Sequence, residues 1–204
     1  MHPIIFQRFG EICSARNAGG AVLEIGAVPS EDTLLCLPCL QTAMEKVGIN
    51  LDGPHQFRDF TIRKGNANAM LCFADESFNT ILCNSTLEHD LFFWKTLAEI
   101  RRVAKDGALV VIGVDGYAKL ELDRTKDRWE RIPVLKHLVR RSLGWLTAST
   151  LTLQVHPYPD DYYRFSAEAV ELVFFEDFDD VHIETVMVPP RIIGSGIWRR
   201  GLRT

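Results

Sequence analysis

Apolar positions in this chain follow two periods. Short runs bounded by Gly, Asn, Asp or Pro read as strands at 21–26, 47–52, 59–63, 78–83, 108–114, 181–187 and 192–196. Between them, apolar residues recur at helical spacing. Ile5, Phe6, Phe9, Ile12 and Cys13 mark one helix over 3–15, and Phe93, Leu97, Ile100 and Ala104 mark one face of another. Residues 33–47 read as helical with an interruption at Pro38, and Ser166 is placed to cap a helix over 167–175.

The clearest unit is 73–115. A polar entry leads into the 78–83 run, a polar loop Asn84-Ser85-Thr86 follows, and Asp90 stands where an N-cap is needed. Lys105-Asp106-Gly107 closes the helix with a cation in its last turn and a glycine that tolerates positive φ. The 108–114 run is almost continuously apolar, as in a strand covered on both faces. Strand, helix and strand in this order require a parallel pair, and hence an α/β fold.

Composition narrows the picture without changing it. With 204 residues, 47% apolar and 25% charged, the chain has the proportions of one globular domain, and a net charge of −4 gives no reason to expect nucleic acid. Five cysteines, an odd number and scattered, fit a reducing, cytoplasmic setting. No run has membrane-spanning length, and no charged-then-apolar leader opens the sequence. Cys36-Leu37-Pro38-Cys39 lacks the second pair a zinc site needs, so these are read as structural cysteines. Charge is uneven: residues 116–155 carry +4 and the remainder −8. That segment, with Leu135, Leu138, Val139, Leu143 and Leu146 on one helical face, reads as a basic insertion after the fifth strand. It is expected to cover the mouth of a site, or to meet an anionic or lipid-linked substrate or the surface of a membrane.

The runs D-E-S-F-N-T-I-L-C-N-S-T-L-E-H at 75–89 and E-I-R-R-V-A-K-D-G-A-L-V-V at 99–111 resemble the second half of class I S-adenosylmethionine-dependent methyltransferases. Within these runs Asn79, Asp106 and Ala108 depart from the family pattern. V-L-E-I-G at 22–26 is similar to the family's first signature, but only Gly26 of its glycine-rich turn is kept, followed by Ala27-Val28-Pro29-Ser30. H-P-Y-P-D-D-Y-Y-R-F-S at 156–166 resembles a loop of a subset that tailors glycans and small molecules.

The resemblance implies a Rossmann-like, mostly parallel sheet of about seven strands, with an antiparallel edge hairpin and helices on both faces. It implies S-adenosylmethionine as cofactor, held by Glu24, Gly26, Ala27, Asn50, Asp52, Asn66, Ala67, Asn84, Ser85 and Leu87. Asn50 stands where many nucleotide-binding folds place the acid that takes the ribose hydroxyls, with Asp52 two residues on. The acceptor is expected to be a hydroxyl on a small molecule or glycan, with His156 as base and Asp161, Tyr162 and Arg164 around the substrate. Glu88-His89 is read as structural. The altered turn and the asparagines also allow a rival, an inactive protein that keeps the fold as an interaction module.

Overall fold

The computed structural model describes residues 1–117, 160–186 and 189–201. Its frame is an eight-stranded sheet. The strands are β1 (Ala21–Ile25), β2 (Glu45–Asn50), β3 (His55–Phe57), β4 (Phe60–Lys64), β5 (Phe78–Asn84), β6 (Ala104–Asp115), β7 (Phe178–Val186) and β8 (Arg191–Trp198). Their spatial order is β3-β4-β2-β1-β5-β6-β8-β7. The central pairs β4/β2, β2/β1, β1/β5 and β5/β6 are parallel. The β7/β8 hairpin joins β6 antiparallel, as expected at that edge. The eighth strand is the short β3, folded back against β4 at the opposite edge.

Side chains alternate along the central strands and build two cores. On one face Leu23, Ile25, Ile81, Val110 and Ile112 meet Leu97, Ile100 and Val103 of helix α2 (Phe93–Val103). On the other, Val22, Leu82 and Val111 meet Ile5, Phe9 and Cys13 of helix α1 (Pro3–Ala15). Each large apolar side chain so buried contributes roughly 1.5–3 kcal/mol relative to exposure. Ion pairs Arg8–Glu184 and Arg16–Asp180 fasten α1 to β7, and Arg16 also donates to the buried Ser195 hydroxyl at 2.9 Å.

Local expectations fail in four places. The 33–47 helix is replaced by two 3-10 turns, Leu34–Cys36 and Pro38–Leu40, before β2 begins at Glu45. The backbone N–H groups of Leu34 and Leu35 donate to the Glu24 carboxylate, at 3.1 and 3.0 Å. That draws the chain onto the sheet, and Pro38 offers no N–H with which to continue a helix. Helix α2 begins at Phe93, not after Asp90. Asp90 accepts from Phe92 N–H at 2.9 Å just ahead of the helix, and from Thr96 and Asn68 at 2.7 Å each. Ala104 opens β6 opposite Phe78, and Gly107 (φ +79°) falls where the β5/β6 register shifts, so it serves a bulge rather than a helix stop. Finally, Ser166 does cap, accepting from Ala169 N–H at 3.0 Å. The single α-turn Ala167–Ala169 then widens into a π-turn, Val170–Phe174. Arg101 of α2 donates to the carbonyls of Val173 and Phe174 at 3.1 and 3.3 Å, supporting that wider turn.

Candidate active site

Because β4, β2, β1 and β5 run parallel, their carboxyl ends share one edge of the sheet, where open α/β folds take ligands. Gly26 leaves β1 with φ +80°, and a Cβ there would lie 2.2 Å from Thr86 Oγ1. The Thr86 hydroxyl in turn donates to Asn84 O at 3.1 Å and faces Ile25 O at 3.4 Å. The turns after β1 and β5 are therefore in contact, and only glycine fits between them. Gly48 does the same service one strand over, since a Cβ on it would stand 2.5 Å from that of Ala27.

The Asn50 amide ties this edge together. Its Nδ2 donates to Ala27 O at 2.8 Å and its Oδ1 accepts from Asp52 N–H at 3.1 Å. Gly65 N–H reaches Asn50 O at 2.8 Å, bringing the turn after β4 alongside. Asn66 there accepts from Asn68 N–H at 2.9 Å and is exposed, with Ala67 half-buried behind it. Asp52 is exposed and lies 3.4 Å from His55 Nε2. Asn84 is half-buried and donates to the exposed Ser85 hydroxyl at 3.0 Å, while Leu87 is fully buried beneath them.

Glu24 stands behind this edge. It is 4% exposed and accepts from Thr33 Oγ1 at 2.6 Å as well as from the Leu34 and Leu35 amides. Burial pushes its carboxyl up, and these three hydrogen bonds oppose that shift. The sequence assigned Glu24 to the cofactor network, and the structure makes it the brace of the loop after β1. Asn50 likewise engages both ends of its amide with protein. Of the sequence-derived cofactor residues, Gly26, Asp52, Asn66, Ala67, Asn84 and Ser85 lie along the open edge. Glu24, Ala27, Asn50 and Leu87 support it from within.

A second group of side chains gathers where β5, β6 and β8 end. Glu88 follows β5 and is fully buried. Asp115 closes β6, and Arg191, its partner in the β6/β8 register, opens β8. Arg191 is ion-paired with Asp115, lies 3.7 Å from Glu88 Oε1 and donates to Ser85 Oγ at 3.3 Å. Arg164 pairs with Asp161 and lies 3.9 Å from Asp115. Desolvation pushes the Glu88 carboxyl up to about 7, opposed chiefly by a backbone hydrogen bond and then by Arg191. The Asp161 hydrogen bond raises Arg164, whereas burial lowers Arg191.

The tyrosine loop divides between two roles. The N–H groups of Tyr162 and Tyr163 donate to Glu88 O at 2.9 and 3.2 Å, and His89 Nδ1 lies 2.9 Å from Asp160 O. The Tyr163 ring packs into a cluster with Phe93, Phe165 and Phe174, at centroid distances of 4.9–5.8 Å, so it is core. Tyr162 is exposed, its hydroxyl donating to Asp160 Oδ2 at 3.2 Å. Of the three residues that the sequence named as substrate contacts, Asp161 and Arg164 lie in the second group and Tyr162 joins Glu88 through its backbone N–H. His156 and nearly all of the basic insertion lie outside the described residues. Sequence reasoning missed Thr86, Asp115 and Arg191, and it read Glu88 as part of a signature. An acid closing an otherwise apolar strand, at Asp115, was the available signal. All five cysteines are free thiols, and no metal-binding cluster of His, Cys, Asp or Glu is found among the described residues. Among the same residues, no helix is long and apolar enough to cross a membrane.

Comparison with known proteins agrees with this geometry. Residues 36–112, a little over a third of the chain, match the model of the methyltransferase domain family. No curated protein matches the chain in sequence. Among solved structures, it is similar to a Burkholderia thailandensis 1,6-didemethyltoxoflavin-N1-methyltransferase bound to 1,6-didemethyltoxoflavin and S-adenosylhomocysteine. The TM-score is 0.62 at 14% identity, over 95% of this chain and 78% of that one. An S-adenosylmethionine-dependent methyltransferase from Archaeoglobus fulgidus gives 0.60 at 12%, over 95% and 93%. A Haemonchus contortus phosphoethanolamine-type N-methyltransferase, solved with phosphomonomethylethanolamine and S-adenosylhomocysteine, gives 0.61 at 11%, over 95% and 53%. At these identities the structural likeness shows the fold. The fold is that of class I, S-adenosylmethionine-dependent methyltransferases, and residues 36–112 match the methyltransferase domain family. Neither reaches the narrower glycan- or small-molecule-tailoring subset.

Proposed function

We propose that this protein transfers a methyl group from S-adenosylmethionine to a hydroxyl on a small-molecule or glycan acceptor. The observation that carries the reading is the shared edge at which the turns after β1 and β5 meet through Gly26 and Thr86. The open positions along that edge fit the cofactor. Gly26 offers close backbone approach, Asp52 an exposed carboxylate for ribose hydroxyls, and Asn66, Asn84 and Ser85 polar side chains. When bound, the cofactor supplies an already activated methyl group. The protein's work is then to orient the acceptor, exclude water and hold the proton that leaves. Asp161, Tyr162 and Arg164 are placed beside the second group to orient an acceptor, and His156 is the base proposed from sequence.

The Burkholderia relative, with a small heterocycle bound beside S-adenosylhomocysteine, supports a small-molecule acceptor. Calorimetric titration with S-adenosylmethionine and S-adenosylhomocysteine tests the reading. Micromolar binding, weakened by Asp52→Ala, is the expected result. No binding of either at millimolar concentration would sink the enzyme reading in favour of an inactive interaction module, for which the loss of the glycine-rich turn is the argument.

A further inference from the structure

The group around Glu88 is not a closed set of pairs. Among the described residues, two guanidinium groups, Arg164 and Arg191, face three carboxylates, Glu88, Asp115 and Asp161. Asp161 is matched by Arg164 and Asp115 by Arg191. Glu88 is left with the remainder: its Oε1 lies 3.4 Å from Asp115 N and 3.7 Å from Arg191 Nη1. Its Oε2 is buried and has no hydrogen-bond partner among the described residues. A buried carboxylate oxygen without a donor is costly, by about 1–3 kcal/mol or more for a charged group. Native sites that keep such an atom call for a reason beyond packing.

Its position supplies one. Glu88 sits just past the carboxyl end of β5, two residues beyond the Thr86 that closes the cofactor edge. Its own carbonyl carries the loop that brings Asp161, Tyr162 and Arg164. We infer that Glu88 Oε2 receives the O–H or N–H of the methyl acceptor and takes its proton, in the role that sequence alone gave to His156. This rests on the methyltransferase reading above. In balance, the acceptor's O–H bond breaks, the proton passes to Glu88, and the electron pair left on oxygen forms the new bond to the methyl carbon. The pair of the broken C–S bond stays on sulfur, which becomes a neutral thioether. Among the described residues, the charged and titratable groups facing Glu88 are Arg191 from β8, Asp115 from β6, Cys83 from β5, and Asp161 and Arg164 from the loop. As a carboxylate that must accept a proton, Glu88 suits a neutral or cationic donor and repels an anion.

The test needs no known acceptor. Protein labelled with 13C at the Glu side-chain carboxyl is titrated by NMR with S-adenosylhomocysteine present. Phenol and ethylamine serve as minimal hydroxyl and amine probes, and acetate as the anionic control. The expected result is a carboxyl signal titrating near neutral pH, absent in Glu88→Gln, that shifts with phenol or ethylamine and not with acetate. Glu88→Asp, which keeps the charge but shortens the reach, should weaken the probe response at least about tenfold, in keeping with the short distances proton transfer tolerates. A Glu88 signal indifferent to both probes, or an equal response to acetate, overturns the inference. Calorimetry with S-adenosylhomocysteine on the same samples keeps the two readings apart. Cofactor binding with a silent Glu88 leaves the methyltransferase reading standing, and a responsive Glu88 without cofactor binding removes it.

Discussion

Replacing Gly26 with alanine would show how tightly the turns after β1 and β5 are packed together. Two penalties combine at this residue. Its φ of +80° lies in a region that a side chain occupies at a cost of about 1–2 kcal/mol. Its new Cβ would also stand 2.2 Å from Thr86 Oγ1. Relieving that overlap forces apart the turns after β1 and β5, and overpacking of this kind costs about 1–3 kcal/mol. The sum, about 2–5 kcal/mol, is a large share of the roughly 5–15 kcal/mol that holds a domain together. For a chain of this size a loss near 3 kcal/mol lowers Tm by about 6–12 °C. Urea unfolding of wild type, Gly26→Ala, Thr86→Ala and the double variant forms a cycle that isolates the contact. In the Thr86→Ala background only the backbone penalty should remain, so Gly26→Ala should then cost about 1–2 kcal/mol. If the full cost persists without Thr86, the two turns do not press on each other, and the packing argument for Gly26 fails.

Two further outcomes follow from the buried acids. Glu24→Ala strands Thr33 Oγ1 and the Leu34 and Leu35 amides, so amide exchange across residues 27–44 should accelerate at least tenfold, and unchanged protection would show that the loop is held by something else. Glu88, raised by burial from 4.5 to about 7, binds its proton more tightly folded than unfolded. The stability it contributes is therefore fully present below about pH 4.5 and lost as pH rises through 7, a change of about 3 kcal/mol. Urea midpoints of Glu88→Gln should lack this fall, and parallel profiles for variant and wild type would remove the shift.

Much of this architecture was legible because it is carried by period. Strand alternation at Val22 to Ile25 and helical spacing at Phe9, Cys13, Leu97 and Ile100 report burial directly, and the elements they mark lie within a few residues of expectation. The helix expected after β1 was not legible as a pair of 3-10 turns. The residue that captures its first amides, Glu24, lies ten residues earlier in the chain and reads there as part of the cofactor network. The same holds at the site. Asn50 looks like a weakened ribose ligand until its amide is seen to bind Ala27 across two strands. Glu88, Asp115 and Arg191 belong to three separate segments, and no spacing rule joins them before the sheet is formed.

The strand order also carries a consequence for how the molecule forms. β1 lies between β2, which follows soon after it, and β5, whose paired residues are some 58 positions later in the chain. β6 finds β8 only after 75 residues have intervened, between Asp115 and Arg191. The half of the sheet that bears the Gly26 and Thr86 turns can therefore assemble from β1 to β6 before β8 arrives. Glu88 and Asp115 acquire Arg191 only when the last hairpin docks. Closing so long a loop adds only about 0.6 kcal/mol per doubling of its length, but pairings this distant slow the search for the native state. A ribosome-bound or truncated chain would thus hold the contact of Gly26 with Thr86 while Glu88 and Asp115 were still without their arginine.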